Sequence, residues 1–234
     1  MLNRFKFGIF DLLKFNFTFM QFFLDTANLE LIKKYVPWGV VDGVTTNPSL
    51  IAKEGVSHED RIKEIAKVVN GPISAEVIAT DYQGMVDEGR RLAKWHKNVY
   101  VKLPTTEAGI KALNTLKKDG IRVNMTLVFS TSQALLLAKS KADLISPFVG
   151  RLDDISEDGM SLISEIMDVW NQYDFDTKVL VASIRHPRHV IDAAKMGAHV
   201  ATMPPEVLEK MIKHPLTDSG LAKFLEDHKK SQSK

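Results

Sequence analysis

The chain has 234 residues, 44% of them hydrophobic, which is enough apolar material for one sizeable core. Its 31 lysines and arginines nearly balance its 29 aspartates and glutamates, so the charge gives no indication of a nucleic-acid or membrane partner. The absence of cysteine excludes disulfide bonds, thiolate metal sites and a cysteine nucleophile, and it suits a reducing cytoplasm.

The first nineteen residues differ in composition from the rest of the chain. They hold half of its 12 phenylalanines, and charged residues interrupt them, so they predict neither a membrane span nor a signal peptide. Met20 stands directly before the first predicted strand. We therefore expect residues 1–19 to be a non-native or loose extension, with translation starting at Met20, and residues 20–234 to form a single domain.

Eight short apolar runs have the composition of buried strands, and segments with helical spacing separate them. The predicted strands are Phe22–Asp25, Val41–Thr46, Ile73–Ile78, Val99–Leu103, Arg122–Val128, Leu144–Val149, Lys178–Ser183 and His199–Met203. Ser57 and Asp60 form a capping-box pattern that predicts the start of a helix. Gly120 and Gly197 predict the ends of two others.

Strict alternation of strands and helices predicts a parallel sheet, either open and doubly wound or closed into a barrel. Eight units within residues 20–234 favour the barrel, and no glycine-rich dinucleotide motif follows the first strand. Polar residues also recur at the ends of nearly every strand, where a barrel would gather them around one opening. We predict an α/β fold, a (β/α)8 TIM barrel, with an additional C-terminal helix. That helix, about Ser219 to Lys229, would cover the barrel or pack on a neighbouring subunit.

Lys102 lies inside the apolar run Val99–Leu103, although lysine is rarely buried without compensation. Burial disfavours an ammonium, and a neutral amine attacks ketones to form a Schiff base. Asp25 and Glu76, at the ends of other strands, supply two carboxylates. One would move protons as the carbinolamine dehydrates, and the other would deprotonate the hydroxyl beside the breaking carbon–carbon bond, with no metal required. A salt-bridged triad that only fixes the core is the alternative, but buried ion pairs contribute little net stability.

A phosphate site is suggested where the seventh predicted strand leads into a helix at Ser183. A helix N-terminus together with the guanidinium of Arg185 suits phosphate, and Arg151 follows the sixth strand as a second cation. Each arginine alone is equally compatible with a solvated surface charge. His186 and His189 are three residues apart, but no third ligand lies near them, so we predict no metal site.

These residues lie in motifs that resemble those of transaldolase, specifically the small transaldolase-like group that includes the fructose-6-phosphate aldolases. The resemblance runs from Met20 almost to the C-terminus. Its seven motifs are Phe23–Ala27, Asp42–Ser49, Ser74–Val77, Val101–Pro104, Asn124–Ser130, Ser146–Arg151 and Ala182–Arg185.

The resemblance implies a role for each matching residue, and it implies no cofactor and no metal. Lys102 would be the Schiff-base lysine and Asp25 the acid–base at the hydroxyl beside the cleaved bond. Glu76 and Thr126 would hold a water that relays protons. The residues implied to bind the dihydroxyacetone unit or the phosphate are Thr45, Asn47, Asn124, Ser146, Arg151, Ser183 and Arg185.

The family reaction moves dihydroxyacetone from sedoheptulose 7-phosphate to glyceraldehyde 3-phosphate, giving erythrose 4-phosphate and fructose 6-phosphate in the non-oxidative pentose phosphate pathway. The aldolases carry glutamine and tyrosine where this chain has Glu76 and Phe148, which are the transaldolase residues. A tyrosine hydroxyl would help to orient water for release of free dihydroxyacetone, whereas Phe148 cannot. The resemblance therefore implies a transferase.

Two alternatives stay open: a fructose-6-phosphate aldolase, and a catalytically silent sugar-phosphate-binding barrel or scaffold. The expected partners are sugar phosphates, with neither nucleic acid nor membrane, in the cytoplasm. Small members of the family are pentamers or decamers in which the last helix packs on a neighbour, so the resemblance also implies a homo-oligomer. The sequence itself supports only an apolar side on that helix, formed by Leu221, Phe224 and Leu225.

Overall fold

The computed structural model describes residues 19–232, and its centre is a closed barrel of eight parallel strands. Each strand pairs with the next along the chain, and the last pairs with the first. The strands are β1 (Gln21–Asp25), β2 (Gly43–Thr45), β3 (Ile73–Glu76), β4 (Val99–Pro104), β5 (Val123–Val128), β6 (Leu144–Pro147), β7 (Lys178–Val181) and β8 (Val200–Met203). The predicted barrel is confirmed, with strand boundaries that differ by a few residues.

The barrel strands alternate with α-helices. In the described residues these are α1 (Leu29–Tyr35), α2 (Pro48–Ala52), α3 (His58–Val68), α4 (Tyr82–Ala93), α5 (Glu107–Lys118), α6 (Thr131–Lys139), α7 (Val149–Asp153), α8 (Gly159–Trp170), α9 (Pro187–Lys195), α10 (Pro205–Ile212) and α11 (Pro215–Gln232). Ser57 caps α3 as predicted, because its Oγ accepts from the Asp60 backbone N–H at 3.1 Å and donates to the Asp60 carboxylate at 2.6 Å. Gly120 and Gly197 follow α5 and α9 with φ of 74° and 81°, the left-handed conformation that ends a helix.

Two apolar clusters place the polar residues at one end of the barrel. The larger cluster lies between the strands and the surrounding helices. The smaller one consists of Phe23, Leu144, Leu180, Ala182 and Val200, which fill the barrel interior. Because successive side chains of a strand point to opposite faces, the next inward position beyond this apolar layer is two residues further on. In β1, β6 and β8 that position holds a polar residue, so the apolar layer forms the floor of a polar site.

The last helix begins at Pro215, four residues before its predicted start, because proline suits the first turn of a helix. None of its residues is buried, and Leu221, Phe224 and Leu225 are 59%, 72% and 55% exposed. The helix therefore does not cover the barrel, and packing on a neighbouring subunit stays a prediction. No helix within residues 19–232 is long and apolar enough to cross a membrane. The prediction for residues 1–19 lies outside the described residues, except for Phe19.

Candidate active site

The carboxyl ends of the strands surround a cavity of about 240 Å³. Nine of the residues predicted for the site line it: Asp25, Thr45, Asn47, Lys102, Ser146, Phe148, Arg151, Ser183 and Arg185. The remaining three do not line it: Glu76 lies on β3 opposite Lys102, Asn124 lies on β5 on the other side of Lys102, and Thr126 follows two residues later on β5. Thr202 also lines the cavity, although the sequence reasoning did not single it out.

Lys102 is buried, with 6% of its surface exposed, and its charge is compensated by two neighbours. Its Nζ lies 2.8 Å from Oε2 of Glu76 and donates to the backbone oxygen of Thr46 at 3.3 Å. Strand register brings the first pair together, since Glu76 on β3 is directly opposite Lys102 on β4. Glu76 is therefore close enough to take a proton from the amine, and Lys102 lines the cavity.

Asp25 ends β1 and is held by a chain of two threonine hydroxyls. Thr45 Oγ1 donates to Asp25 Oδ1 at 2.7 Å, and it lies 2.6 Å from Thr202 Oγ1. Because the Thr45 hydroxyl has one hydrogen and gives it to the carboxylate, Thr202 is the donor to Thr45. This chain fixes Oδ1 and leaves Oδ2 for a ligand. The signal for Thr202 was present in the sequence, as a polar residue near the end of the eighth strand.

The electrostatics of Asp25 suit proton exchange. Burial raises the pKa of the Asp25 carboxyl, while the hydrogen bond from Thr45 and the positive charge of Lys102 oppose the rise. A carboxyl whose pKa is above its usual range exchanges protons more readily near neutral pH.

Asn124 is fully buried and is bonded to protein at both ends of its amide. Its Oδ1 accepts from Ser146 Oγ at 2.7 Å, and its Nδ2 donates to Ser74 Oγ at 3.0 Å. Asn124 does not line the cavity, whereas Ser146 does. In this arrangement Asn124 orients Ser146, and Ser74 joins the site as a second residue that the sequence reasoning did not assign.

Asn47 presents only one end of its amide to the cavity. Its Oδ1 caps α2 by accepting from the Leu50 backbone N–H at 2.9 Å. This bond fixes the orientation of the amide, so the Nδ2 group is left as a donor at a position that lines the cavity.

Thr126 has a buried hydroxyl that no hydrogen bond satisfies within residues 19–232. It sits on β5 where the register with β6 shifts between Met125 and Val128, and the next residue, Leu127, has a left-handed φ of 61°. Irregular backbone of this kind re-aims a side chain and costs free energy. Since buried hydroxyls are normally paired, the position suits a bound water or a substrate oxygen.

Two cations stand at the rim of the cavity. The Arg185 guanidinium is 2.6 Å from Asp154 Oδ2, and the Arg151 guanidinium stacks over the Phe148 ring with 4.9 Å to its centroid. Ser183, between β7 and α9, has a left-handed φ of 59°. Helix α7 and the segment between β7 and α9 approach closely, since the Gly150 N–H donates to the Ser183 carbonyl oxygen at 3.0 Å. Any Cβ on Gly150 would collide with that oxygen.

Comparison with known proteins agrees with this arrangement. The family model described as Transaldolase/Fructose-6-phosphate aldolase matches residues 22–234. A protein of Methanococcus maripaludis named probable transaldolase is 60% identical over 208 residues, which cover 89% of this chain and 97% of the relative. A probable transaldolase of Thermoanaerobacter sp. is 55% identical over 212 residues, covering 91% of this chain and 98% of the relative.

Solved structures match at the level of the barrel. A flavocytochrome b2 variant with sulfite bound has a TM-score of 0.58 at 16% identity, over 80% of this chain and 57% of that chain. A mandelate oxidase variant has a TM-score of 0.54 at 13% identity, over 81% of this chain and 65% of that chain. This chain thus spans a little over half to two thirds of those proteins, and the likeness concerns the fold alone.

Proposed function

The chain belongs to the transaldolase/fructose-6-phosphate aldolase family, and we propose that it is a transaldolase acting through a Schiff base on Lys102. It moves a dihydroxyacetone unit from sedoheptulose 7-phosphate to glyceraldehyde 3-phosphate, giving erythrose 4-phosphate and fructose 6-phosphate. The observation that carries the proposal is a buried lysine 2.8 Å from Glu76, at the wall of a cavity that Asp25 also lines. Buried ionisable groups are costly, and this set matches the needs of imine chemistry.

The first step is imine formation. The Lys102 amine, after giving a proton to Glu76, attacks the ketone carbon of the donor sugar. The carbinolamine then loses its hydroxyl as water, which requires a proton on the departing oxygen. A water held between Glu76 and Thr126 delivers that proton. The unpaired buried hydroxyl of Thr126 supports this role.

The second step breaks the carbon–carbon bond. Oδ2 of Asp25 takes the proton of the C4 hydroxyl, the oxygen becomes a carbonyl, and the electron pair of the C3–C4 bond moves toward the iminium nitrogen. Erythrose 4-phosphate leaves, and an enamine remains on Lys102. The enamine attacks glyceraldehyde 3-phosphate, Asp25 returns its proton to the new hydroxyl, and water releases fructose 6-phosphate. The upward shift of the Asp25 pKa supports its part as a carrier of this proton.

Substrate binding follows the polarity of the cavity. The Asn47 amide N–H2 and the Ser146 hydroxyl face the dihydroxyacetone unit, Asn124 orients Ser146, and Thr45 orients Asp25. The phosphate end reaches the rim, where Ser183, Arg185 and Arg151 bind it.

Phe148 favours transfer over release of free dihydroxyacetone. Its ring packs edge-on against Phe129, with 5.8 Å between centroids, and supports the Arg151 guanidinium on the cavity side. It has no hydroxyl to orient a water toward the imine, so the three-carbon unit stays bound to Lys102 until an aldehyde acceptor binds. The curated relatives, named probable transaldolases, support this choice.

The enzyme works in the cytoplasm, in the non-oxidative pentose phosphate pathway, as a pentamer or decamer. The exposed apolar side chains of α11 support an assembly, because a helix of 18 residues with no buried side chain gains its stability by packing on something else.

Borohydride trapping tests the proposed function. The protein is incubated with fructose 6-phosphate, reduced, digested and mapped by mass spectrometry. We expect a three-carbon adduct on Lys102, absent from Lys102→Ala and retained by Lys117→Ala, which removes a lysine paired with Asp143 away from the cavity. Free dihydroxyacetone formed without an acceptor, at a rate rivalling transfer, would assign an aldolase instead. No adduct on any lysine of the folded protein would favour a silent sugar-phosphate-binding barrel.

A further inference from the structure

His189, on the first turn of α9, is 5% exposed and uses both ring nitrogens. Its Nδ1 accepts from the Arg185 backbone N–H at 3.3 Å, and its Nε2 lies 3.1 Å from Oδ2 of Asp153. A nitrogen that accepts carries no proton, so the hydrogen of the neutral ring is on Nε2, where it donates to Asp153. The ring therefore links a backbone group in the segment between β7 and α9 to a carboxylate at the end of α7.

The two linked elements are those that carry the rim cations. Asp153 ends α7, two residues after Arg151, while the bonded N–H belongs to Arg185 itself. Two backbone hydrogen bonds also join α7 to the segment after β7, from Gly150 N to Ser183 O at 3.0 Å and from Val149 N to Ala182 O at 3.1 Å. The side-chain bridge through His189 lies further along the chain on both sides, at the Arg185 backbone N–H and at Asp153.

The surroundings favour the neutral imidazole. Burial lowers the pKa of His189, and the electrostatic effects of His186 and Arg185 act in the same direction. The carboxylates of Asp153 and Asp192 oppose this effect without outweighing it. A proton on Nδ1 would face the Arg185 N–H and remove its acceptor, so the bridge needs the neutral ring.

We propose that His189 is a positioning residue that ties the loop of Arg185 to the helix of Arg151 and so holds the phosphate-binding rim of the cavity in shape. The proposal rests on the proposed function, because it assumes that these two arginines bind the substrate phosphate. His189 itself is buried beneath the rim and does not line the cavity. Its contribution is to hold the two cations at a fixed separation before the ligand arrives, which lowers the cost of ordering them on binding.

Two ligands separate this role from a general structural one. Inorganic phosphate, measured by calorimetry, reports the rim. Dihydroxyacetone, which has no phosphate, reports the imine site through borohydride trapping on Lys102. His189→Phe removes both hydrogen bonds at similar volume, and His189→Asn keeps an oxygen near the position of Nδ1. His199→Phe is the matched control, because His199 also accepts from a backbone N–H, that of Val179, at the opposite end of β7.

We expect His189→Phe to weaken phosphate binding by about threefold to tenfold, which corresponds to the net contribution of roughly one hydrogen bond, because the two lost bonds act on phosphate only through the position of the arginines. His189→Asn is expected to recover part of the loss, and His199→Phe to leave phosphate affinity within about twofold of wild type. Trapping of dihydroxyacetone should change far less than phosphate binding in every variant. If His189→Phe does not fold, Asp153→Ala removes the partner of Nε2, together with a hydrogen bond to the Gly159 backbone N–H, and should also weaken phosphate binding.

Three results would contradict the proposal. Equal phosphate affinity in His189→Phe and His199→Phe would mean that the bridge does not shape the rim. A parallel loss of phosphate binding and of dihydroxyacetone trapping would assign His189 a general structural role. Failure of the wild-type protein to bind phosphate, or unchanged binding in Arg185→Gln, would overturn the phosphate assignment of the proposed function and the bridge with it.

Discussion

Replacing Asp25 by asparagine is expected to stabilise the protein while stopping carbon–carbon cleavage. The asparagine keeps the shape of the side chain and can still accept from Thr45, but it carries no charge. Burial raises the pKa of Asp25 above its ordinary value of 3.8, so the folded state holds this proton more tightly than the unfolded chain does. The stability that this proton contributes is present below the unfolded pKa and is lost as pH rises through the folded pKa.

The stability gain of Asp25→Asn should therefore be absent near pH 3, grow as pH rises past the ordinary pKa of an aspartate, and level off above the folded pKa. Each unit of upward pKa shift corresponds to about 1.4 kcal/mol. For a chain of this size, 1 kcal/mol moves Tm by roughly 2–4 °C. Thermal unfolding at several pH values measures the gain. Asp174→Asn, which removes an exposed carboxylate from the segment between α8 and β7, is the matched control.

In the same variant the reaction should stop after imine formation, before the carbon–carbon bond breaks. Loss of general acid–base catalysis lowers kcat by about 10²- to 10⁴-fold. Imine formation depends on Glu76 and Lys102, so it should continue. Borohydride trapping with fructose 6-phosphate is then expected to give an adduct on Lys102 that keeps the whole six-carbon sugar, in place of the three-carbon adduct of wild type. A three-carbon adduct formed at the wild-type rate, or a variant less stable than wild type at neutral pH, would refute this reasoning.

Three further predictions follow from the site. Lys102→Ala is expected to abolish turnover while the barrel still folds, because Glu76 is partly exposed and can be hydrated once its partner is gone; unfolding seen by circular dichroism would make Lys102 structural. Thr202→Val should make Thr45 a weaker hydrogen-bond donor and so raise the pKa of Asp25 further, which moves the acidic limb of the pH profile of kcat/KM to higher pH. Thr202→Ser is the control and should keep the wild-type profile. An acidic limb that does not move in Thr202→Val would contradict the chain of hydroxyl hydrogen bonds. Phe148→Tyr should increase release of free dihydroxyacetone relative to transfer, and an unchanged product ratio would dismiss the explanation based on its missing hydroxyl.

Local patterns in the sequence were sufficient to predict the barrel and most of the residues that line its cavity. Each strand is a short apolar run, and strand ends in a barrel meet at one opening whatever the details of packing. For this reason the sequence predicts that Asp25, Lys102 and Arg151 face one opening, and all three line the same cavity. Caps such as Ser57 were predictable for the same reason, since their partners lie within four residues.

Only the tertiary structure decided which side chains bond to one another across the barrel. The contact between Thr45 and Thr202 spans 157 residues and exists because β8 closes against β1, beside β2. The register of strands β3, β5 and β6 turns the amide of Asn124 toward Ser74 and Ser146. His189 reaches Asp153 because α7 passes close to the segment after β7, where Gly150 lies against Ser183. Such pairings depend on strand register and barrel closure, which no short stretch of sequence encodes. Short stretches of the sequence therefore identify the chemical groups of the site, whereas the closed barrel that surrounds these groups sets their orientation, their hydrogen-bond direction and their pKa values.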